Sequence, residues 1–182
     1  MIETIRIGHL LRETAATPYR NLITRPTGAA VRDRIEAALA ESDCVTALLD
    51  FSDIELLDFS CADEVVAKLL LADPDRTGRV LVLQGLREDQ HEAIEQVLIH
   101  HGLAVVAVAS GHGDAMPQLI GWVTADARSA FGCLCESGPL RSFQLAWALD
   151  WSDSRSRDAL GALLAHRLVR AEGELYFPIT IA

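Results

Sequence analysis

Three apolar runs of strand length constrain this chain more than any other feature: Cys44–Leu49, Arg79–Leu83 and Leu103–Ala109. Each is apolar almost throughout instead of alternating, which is the pattern of a strand covered on both faces. Segments with helical spacing lie between them. Val31, Ile35, Ala38 and Leu39 fall on one side of a helix that opens at Thr27-Gly28 and closes near Ser42-Asp43. Val65, Val66, Leu69 and Leu70 do the same within Cys61–Leu71, and Asp73-Pro74-Asp75 ends that helix because proline cannot continue the hydrogen-bond ladder. Ile94, Val97 and Leu98 mark a third helix, ending at His101-Gly102. Buried strands alternating with helices predict an α/β unit with a mixed or mostly parallel sheet. Glu3–Leu11 and Arg20–Thr24 are candidates for further strands at an edge.

The pattern changes in the last third of the chain. Ser110 to Pro117 is rich in Gly, His and Asp and reads as a linker. Thr124–Cys135 is helix-like until Ser137-Gly138-Pro139 breaks it. Ser142–Leu149 forms a second short helix with Ser142 as its cap. Ser152 or Asp153 caps a third through Leu168, with Leu160, Leu163, Leu164 and Leu168 as the inner stripe. Val169–Ile179 then reads as a hairpin turning at Glu172-Gly173. Three helices followed by a hairpin is the order of a winged helix-turn-helix, a small α+β unit. The expected division is an α/β domain over 1–112 and a winged-helix domain over 118–182.

Charge narrows the function. The chain carries 26 acidic and 16 basic residues, a net charge of -10, and its 50% apolar content excludes a disordered polymer. Residues 1–124 hold -9 of that charge, and residues 41–64 contain eight carboxylates with no Lys or Arg. Such a stretch repels nucleic acid and attracts a basic protein surface. Cys44, Cys61, Cys133 and Cys135 lack the spacing of a secreted disulfide framework, and Met1–Arg6 does not resemble a signal peptide. No apolar run approaches the roughly 20 residues needed to cross a bilayer. A cytoplasmic protein with no membrane partner is expected.

Leu48–Glu64, with the sequence LLDFSDIELLDFSCADE, resembles the central motif of STAS-like domains, the family of the bacterial anti-anti-sigma factors. In that family a strand ending in Asp leads through a short loop into an Asp-x-Ser turn at a helix N-terminus. Asp50 and Asp58 match the two aspartates, and Ser60 falls where the family carries its phosphorylated serine. Thr24-Arg25-Pro26-Thr27-Gly28 resembles the segment before a helix in STAS-like prokaryotic regulators. The likeness spans about residues 20–110. Phe59 replaces the family's usual small residue before the serine, and Cys61 replaces the usual glycine after it. The resemblance implies a non-enzymatic regulator that binds a protein partner, such as an anti-sigma-like kinase. The surface would be Asp50, Asp53, Asp58, Asp63 and Glu64, with Ser60 as a phosphorylation switch. Read from the residues alone, Ser60 is a helix N-cap and Asp63 bonds back to it across one turn. Both readings stand at this point.

A second reading is a DNA-binding transcriptional regulator whose N-terminal domain serves as sensor or dimerisation module. Arg155 and Arg157 sit where a recognition helix meets base edges, with Arg167 and Arg170 near the wing. Asp150, Asp153 and Asp158 surround those arginines and weigh against it. A homo-oligomer is left open. No Gly-x-Ser-x-Gly or triad order stands out, so no enzyme or catalytic residue is expected. His91 and His100 are nine residues apart, and His101 and His112 add no ligand spacing, so solvated histidines are expected. Cys133-x-Cys135 lacks a second pair and reads as structural. Gly111-His112-Gly113-Asp114 lacks the residues of a phosphate loop. Neither metal nor cofactor is expected. Trp147 and Trp151 read as packing groups.

Overall fold

The computed structural model describes residues 1–15, 19–72, 78–109 and 116–181. The proline stop at 73–75, the Gly111–Asp114 motif with His112, and most of the expected linker lie outside the described residues. The chain is mixed α/β with a mostly parallel central sheet. Its elements begin with β1 (Ile2–Arg6), α1 (Ile7–Ala15), β2 (Asn21–Leu22), α2 (Arg25–Ala40), β3 (Thr46–Asp50) and β4 (Leu56–Leu57). Next come α3 (Phe59–Ala62), a π-helical turn (Asp63–Ala67), α4 (Lys68–Ala72), β5 (Val80–Gln84), α5 (Glu88–His101), β6 (Ala104–Val108) and β7 (Gln118–Gly121). The sheet runs β1-β3-β5-β6-β7, parallel through β6 and antiparallel at the β7 edge.

That order has a consequence for layering. Parallel strands laid down in one direction with right-handed crossovers place every crossover helix on the same side. Side chains alternate along each strand, so the strands divide between two cores. Ala47, Leu49, Leu83, Val105 and Ala107 meet Leu11, Ile35, Val66 and Ile94 of the helical layer. Leu48, Val80, Val82, Ala104 and Val106 point the other way and need a separate cover.

The last third of the chain supplies it. Here lie α6 (Ala125–Ser137), β8 (Leu140–Arg141), α7 (Ser142–Ala148), α8 (Asp153–Ala165), β9 (Val169–Glu172) and β10 (Leu175–Pro178). The three strands form an antiparallel sheet of order β8-β10-β9. Ala127, Phe131, Leu160 and Leu163 close over the open sheet face in one continuous cluster. Both faces of β3, β5 and β6 are therefore apolar because both are covered by helices of the same chain. Gln118–Gly121, which the sequence grouped with the last third, pairs with β6 in the central sheet. Arg128 holds this edge by donating to the carbonyls of Leu119 and Gly121 at 3.1 and 3.3 Å. Gly121 is required there: at φ 102°, a Cβ would lie 2.3 Å from the Leu103 carbonyl oxygen.

Several local expectations are corrected. Only the first part of Glu3–Leu11 is strand, because Ile7 and Leu11, four residues apart, both bury fully as one helical face. Arg20–Thr24 contributes β2 to a separate two-stranded parallel pair with β4, not to the edge of the main sheet. Helix α2 starts earlier than Thr27-Gly28, since Pro26 suits the first turn, where its missing N–H costs nothing. Ser142 is the first helical residue and not a cap. Gln144 Oε1 accepts the Arg141 N–H at 2.8 Å instead, and Ser142 Oγ is buried with no partner among the described residues. Ser152 caps α8 by accepting from the Arg155 N–H at 3.2 Å. Leu164, assigned to the inner stripe, is 36% exposed, and Trp147 is 89% exposed rather than packed. Among the described residues no helix is long and apolar enough to cross a membrane.

Candidate functional site

The loop after β3 is tied down from both ends. Asp50 Oδ1 accepts from the Ser52 N–H at 3.0 Å and from its hydroxyl at 2.5 Å. Phe51, fully buried, donates its N–H to the Gln84 carbonyl at 2.9 Å. The buried Gln90 side chain donates to the Ile54 carbonyl at 2.8 Å and so fixes α5 against the loop. Asp53 is exposed and faces Arg12 at 3.8 Å.

Asp58 joins two helix starts. Its Oδ1 accepts from the Cys61 N–H at 2.7 Å as the N-cap of α3, and its Oδ2 accepts from the Thr24 N–H at 2.9 Å ahead of α2. The cap is therefore Asp58 and not Ser60, and Asp63 turns away to other partners. Thr24 sits at φ 72°, a left-handed conformation that a β-branched residue adopts only under external constraint. The constraint is visible: Asp58 holds its N–H, while its carbonyl accepts from Cys61 Sγ at 3.0 Å and the Gly28 N–H at 3.1 Å. Gly28 lets α2 approach this closely, because a Cβ there would lie 3.0 Å from Cys61 Cα. Burial raises the Asp58 pKa, but the Thr24 and Cys61 N–H groups outweigh it, so the carboxyl titrates below its ordinary value. Burial, with the Asp58 charge added, pushes the Cys61 thiol up to about 12 and leaves it unreactive.

The next turn is π-helical, with the Lys68 N–H bonded to the Asp63 carbonyl five residues back. Such insertions recur at functional positions. This one directs Asp63 and Glu64 toward α2 and α5. Asp63 accepts from Arg25 and from His101 Nε2, each at 2.8 Å. Glu64 is buried, with 3% of its side chain exposed, and meets three cations: Arg25 at 2.8 Å, Arg32 and Lys68. Burial opposes ionisation of both carboxyls. For Asp63 the hydrogen bonds from Arg25 and His101 win, and for Glu64 those from Lys68 and Arg25, so both titrate below their ordinary values.

Of the five carboxylates grouped on one acidic surface, only Asp53 is exposed, with about half of its side chain accessible; Asp50, Asp58 and Asp63 are half-buried and Glu64 is internal. The neutralising cations lie outside residues 41–64, which is why the window reads as unbalanced. Ser60 is half-buried in a surface depression of about 440 Å³, lined by Arg25, Phe59, Asp63, Val97, His100 and His101. Phe59 beside it is 54% exposed. Reasoning from sequence missed Arg25, Arg32 and His101. Only the Glu64–Lys68 pair, at helical i,i+4 spacing, carried a local signal.

The arginines of the last third are spread out and engaged. Arg155 forms a two-pronged bond to Asp126 at 2.8 and 2.7 Å and lies 4.5 Å over the Trp151 ring. Arg157 faces Asp153 at 3.6 Å, and Arg170 faces Glu172 at 3.5 Å while lying over Phe177. Arg167 donates to the Arg79 carbonyl at 3.4 Å. Cys133 and Cys135 are half-buried free thiols, whereas Cys44 and Cys61 are buried. No group of three metal-ligating side chains occurs among the described residues. No protein-family model matches the chain, and no curated protein matches it.

Proposed function

We propose that the chain is a non-enzymatic, cytoplasmic regulatory protein of STAS type that works by docking a protein partner over the Ser60 depression, with phosphorylation of Ser60 as the switch. The observation that carries this reading is the setting of Ser60, open to a partner beside the exposed Phe59 ring and next to the ion network. A phosphate would add about -1.5 to -2 charge there. It would compete with Asp63 for Arg25 and His101 while repelling the Asp63 carboxylate. The result is a rearranged docking rim on an unchanged core. The partner implied by the sequence resemblance is an anti-sigma-like kinase.

The test is affinity capture of the full chain from its native cell extract, with phosphosite mapping and measured affinity of the captured partner. The expected result is a Ser60 phosphopeptide, full binding by Ser60→Ala and binding weakened about ten-fold or more by Ser60→Asp. Equal affinity of the two variants overturns the switch. The three-helix order with its antiparallel sheet supports reading the last third as a winged helix. Its arginines already face acceptors within the chain, which favours a packing and docking role over DNA contact.

A further inference from the structure

The central sheet ends at β1, and among the described residues β3 is its one strand neighbour. The parallel register fixes which backbone groups that neighbour uses. Ile2 stands opposite Thr46, whose N–H donates to the Met1 carbonyl at 3.4 Å. Successive residues of a strand turn their backbone groups to alternate sides, so Glu3 and Ile5 serve β3. Ile2 and Thr4 then present both N–H and carbonyl at the outer edge. Arg6 presents its N–H there, its carbonyl being taken into the first turn of α1, which begins at Ile7.

The side chains of the same three residues are exposed. They lie on the face that the last third covers over β3, β5 and β6, yet no β1 residue joins that core. Ile2, 44% exposed, keeps an apolar group in the open. Sheet edges are ordinarily blunted by proline, lysine or a bulge. The segment IETIR has neither proline nor lysine and pairs with β3 without a break in register.

The symmetry of this edge names its occupant. The strand has five residues, with Thr4 at the midpoint. A second copy turned about a two-fold axis through Thr4 runs antiparallel and pairs the whole strand with itself. Thr4 meets Thr4, exchanging N–H to carbonyl bonds in both directions, and each Arg6 N–H meets the Ile2 carbonyl of the other copy. Glu3 stands opposite Ile5 and Arg6 opposite Ile2, so no like charges face each other and the Arg6 stem covers the exposed isoleucine. Centring the axis on Glu3 or Arg6 would oppose like charges and shorten the overlap. A two-fold contact of this kind closes at two copies.

We infer that β1 is a homodimer edge, at which two copies of the chain join their central sheets strand to strand. Each copy contributes one short strand, so the contact belongs among interfaces below about 1,200 Å², which are weak and reversible. The test is sedimentation equilibrium of the full chain from about 1 µM to about 1 mM, expected to show monomer and dimer exchanging with a Kd of about 10–100 µM. Thr4→Pro removes the outward N–H where an edge strand tolerates proline. Thr4→Lys sets two ammonium groups opposite each other at the axis. Each is expected to weaken dimerisation about ten-fold or more with circular dichroism unchanged, and Thr4→Lys decides the matter should Thr4→Pro fail to fold. Cross-linking reads the axis. Thr4→Cys faces its own copy at about 5.5 Å between Cα atoms, within the reach of a disulfide. With the wild-type chain as background, it is expected to oxidise to a covalent dimer about ten-fold faster than Arg6→Cys, which faces Ile2. A chain that stays monomeric at about 1 mM, including one whose edge takes up a foreign extended peptide instead, overturns the proposal. So does dimerisation that Thr4→Lys leaves unchanged, and equal cross-linking of the two cysteine variants overturns the axis.

Discussion

Arg25 reaches Glu64 across 39 residues of sequence, its Nη1 lying 2.8 Å from Oε1. The same nitrogen lies 2.8 Å from Asp63 Oδ2, so one guanidinium pins the first turn of α2 to the π turn. This contact and those of Arg32 and Lys68 decide whether an internal carboxylate stabilises or destabilises the fold.

Replacing Glu64 by Gln tests that balance. Removing one partner of a fully buried ion pair costs about 3–5 kcal/mol. Here the cations are partly solvated, so a smaller loss, about 1–3 kcal/mol, is expected in urea unfolding at neutral pH. The pH dependence follows from the lowered pKa values of Asp58, Asp63 and Glu64. Their stabilisation is fully present above the ordinary values, 3.8 for Asp and 4.5 for Glu, and disappears as pH falls through the folded-state values. The wild-type midpoint should hold from neutral pH to near the ordinary Glu value and then fall steeply. Glu64→Gln should fall less. Parallel curves would refute the role assigned to Glu64.

The identity of the cap is separately measurable. Asp58→Ala loses an N-cap and should cost about 0.5–2 kcal/mol. Ser60→Ala, two residues on, should change stability by less than about 0.5 kcal/mol. Comparable losses in chemical unfolding would return the cap to Ser60.

Arg167 offers a comparison that isolates the backbone. Arg167→Gly and Arg167→Ala delete the same contacts but differ in tolerance of φ 56°. The glycine variant should be the more stable by about 1 kcal/mol. Equal unfolding midpoints would mean that the turn carries no such strain.

The arginines of the last third predict weak DNA binding. Retention on a genomic fragment library should be non-selective and lost as salt rises, as for phosphate contacts alone. A selective complex abolished by Arg155→Ala and Arg157→Ala would instead favour the transcriptional reading.

Much of the α/β layer was legible because its signals are local. The apolar runs mark β3, β5 and β6, and the spaced Val31, Ile35 and Leu39 mark α2, since burial writes a period into neighbouring residues. The short β7 and β8 carry two to four residues each and offer no period to detect. At the site, the start of α3 was legible from its polar residues, but the cap was read two residues late, at Ser60 instead of Asp58, because both side chains can accept from a first-turn N–H. The fate of Glu64 was not legible, because its charge balance depends on Arg25 and Arg32, which only the crossing of α2 and the π turn brings near.

The sequence by itself determined the alternation of strand and helix and the mostly parallel central sheet. Apolar periodicity acts over a few residues, so it can be read without knowing what the segment packs against. Tertiary structure decided that the last third closes the second face of the sheet, that Asp63 and Glu64 meet cations from outside the acidic window, and that a leucine-walled cavity forms at the seam. Each depends on groups tens of residues apart meeting at a few ångströms, and no local pattern encodes that distance.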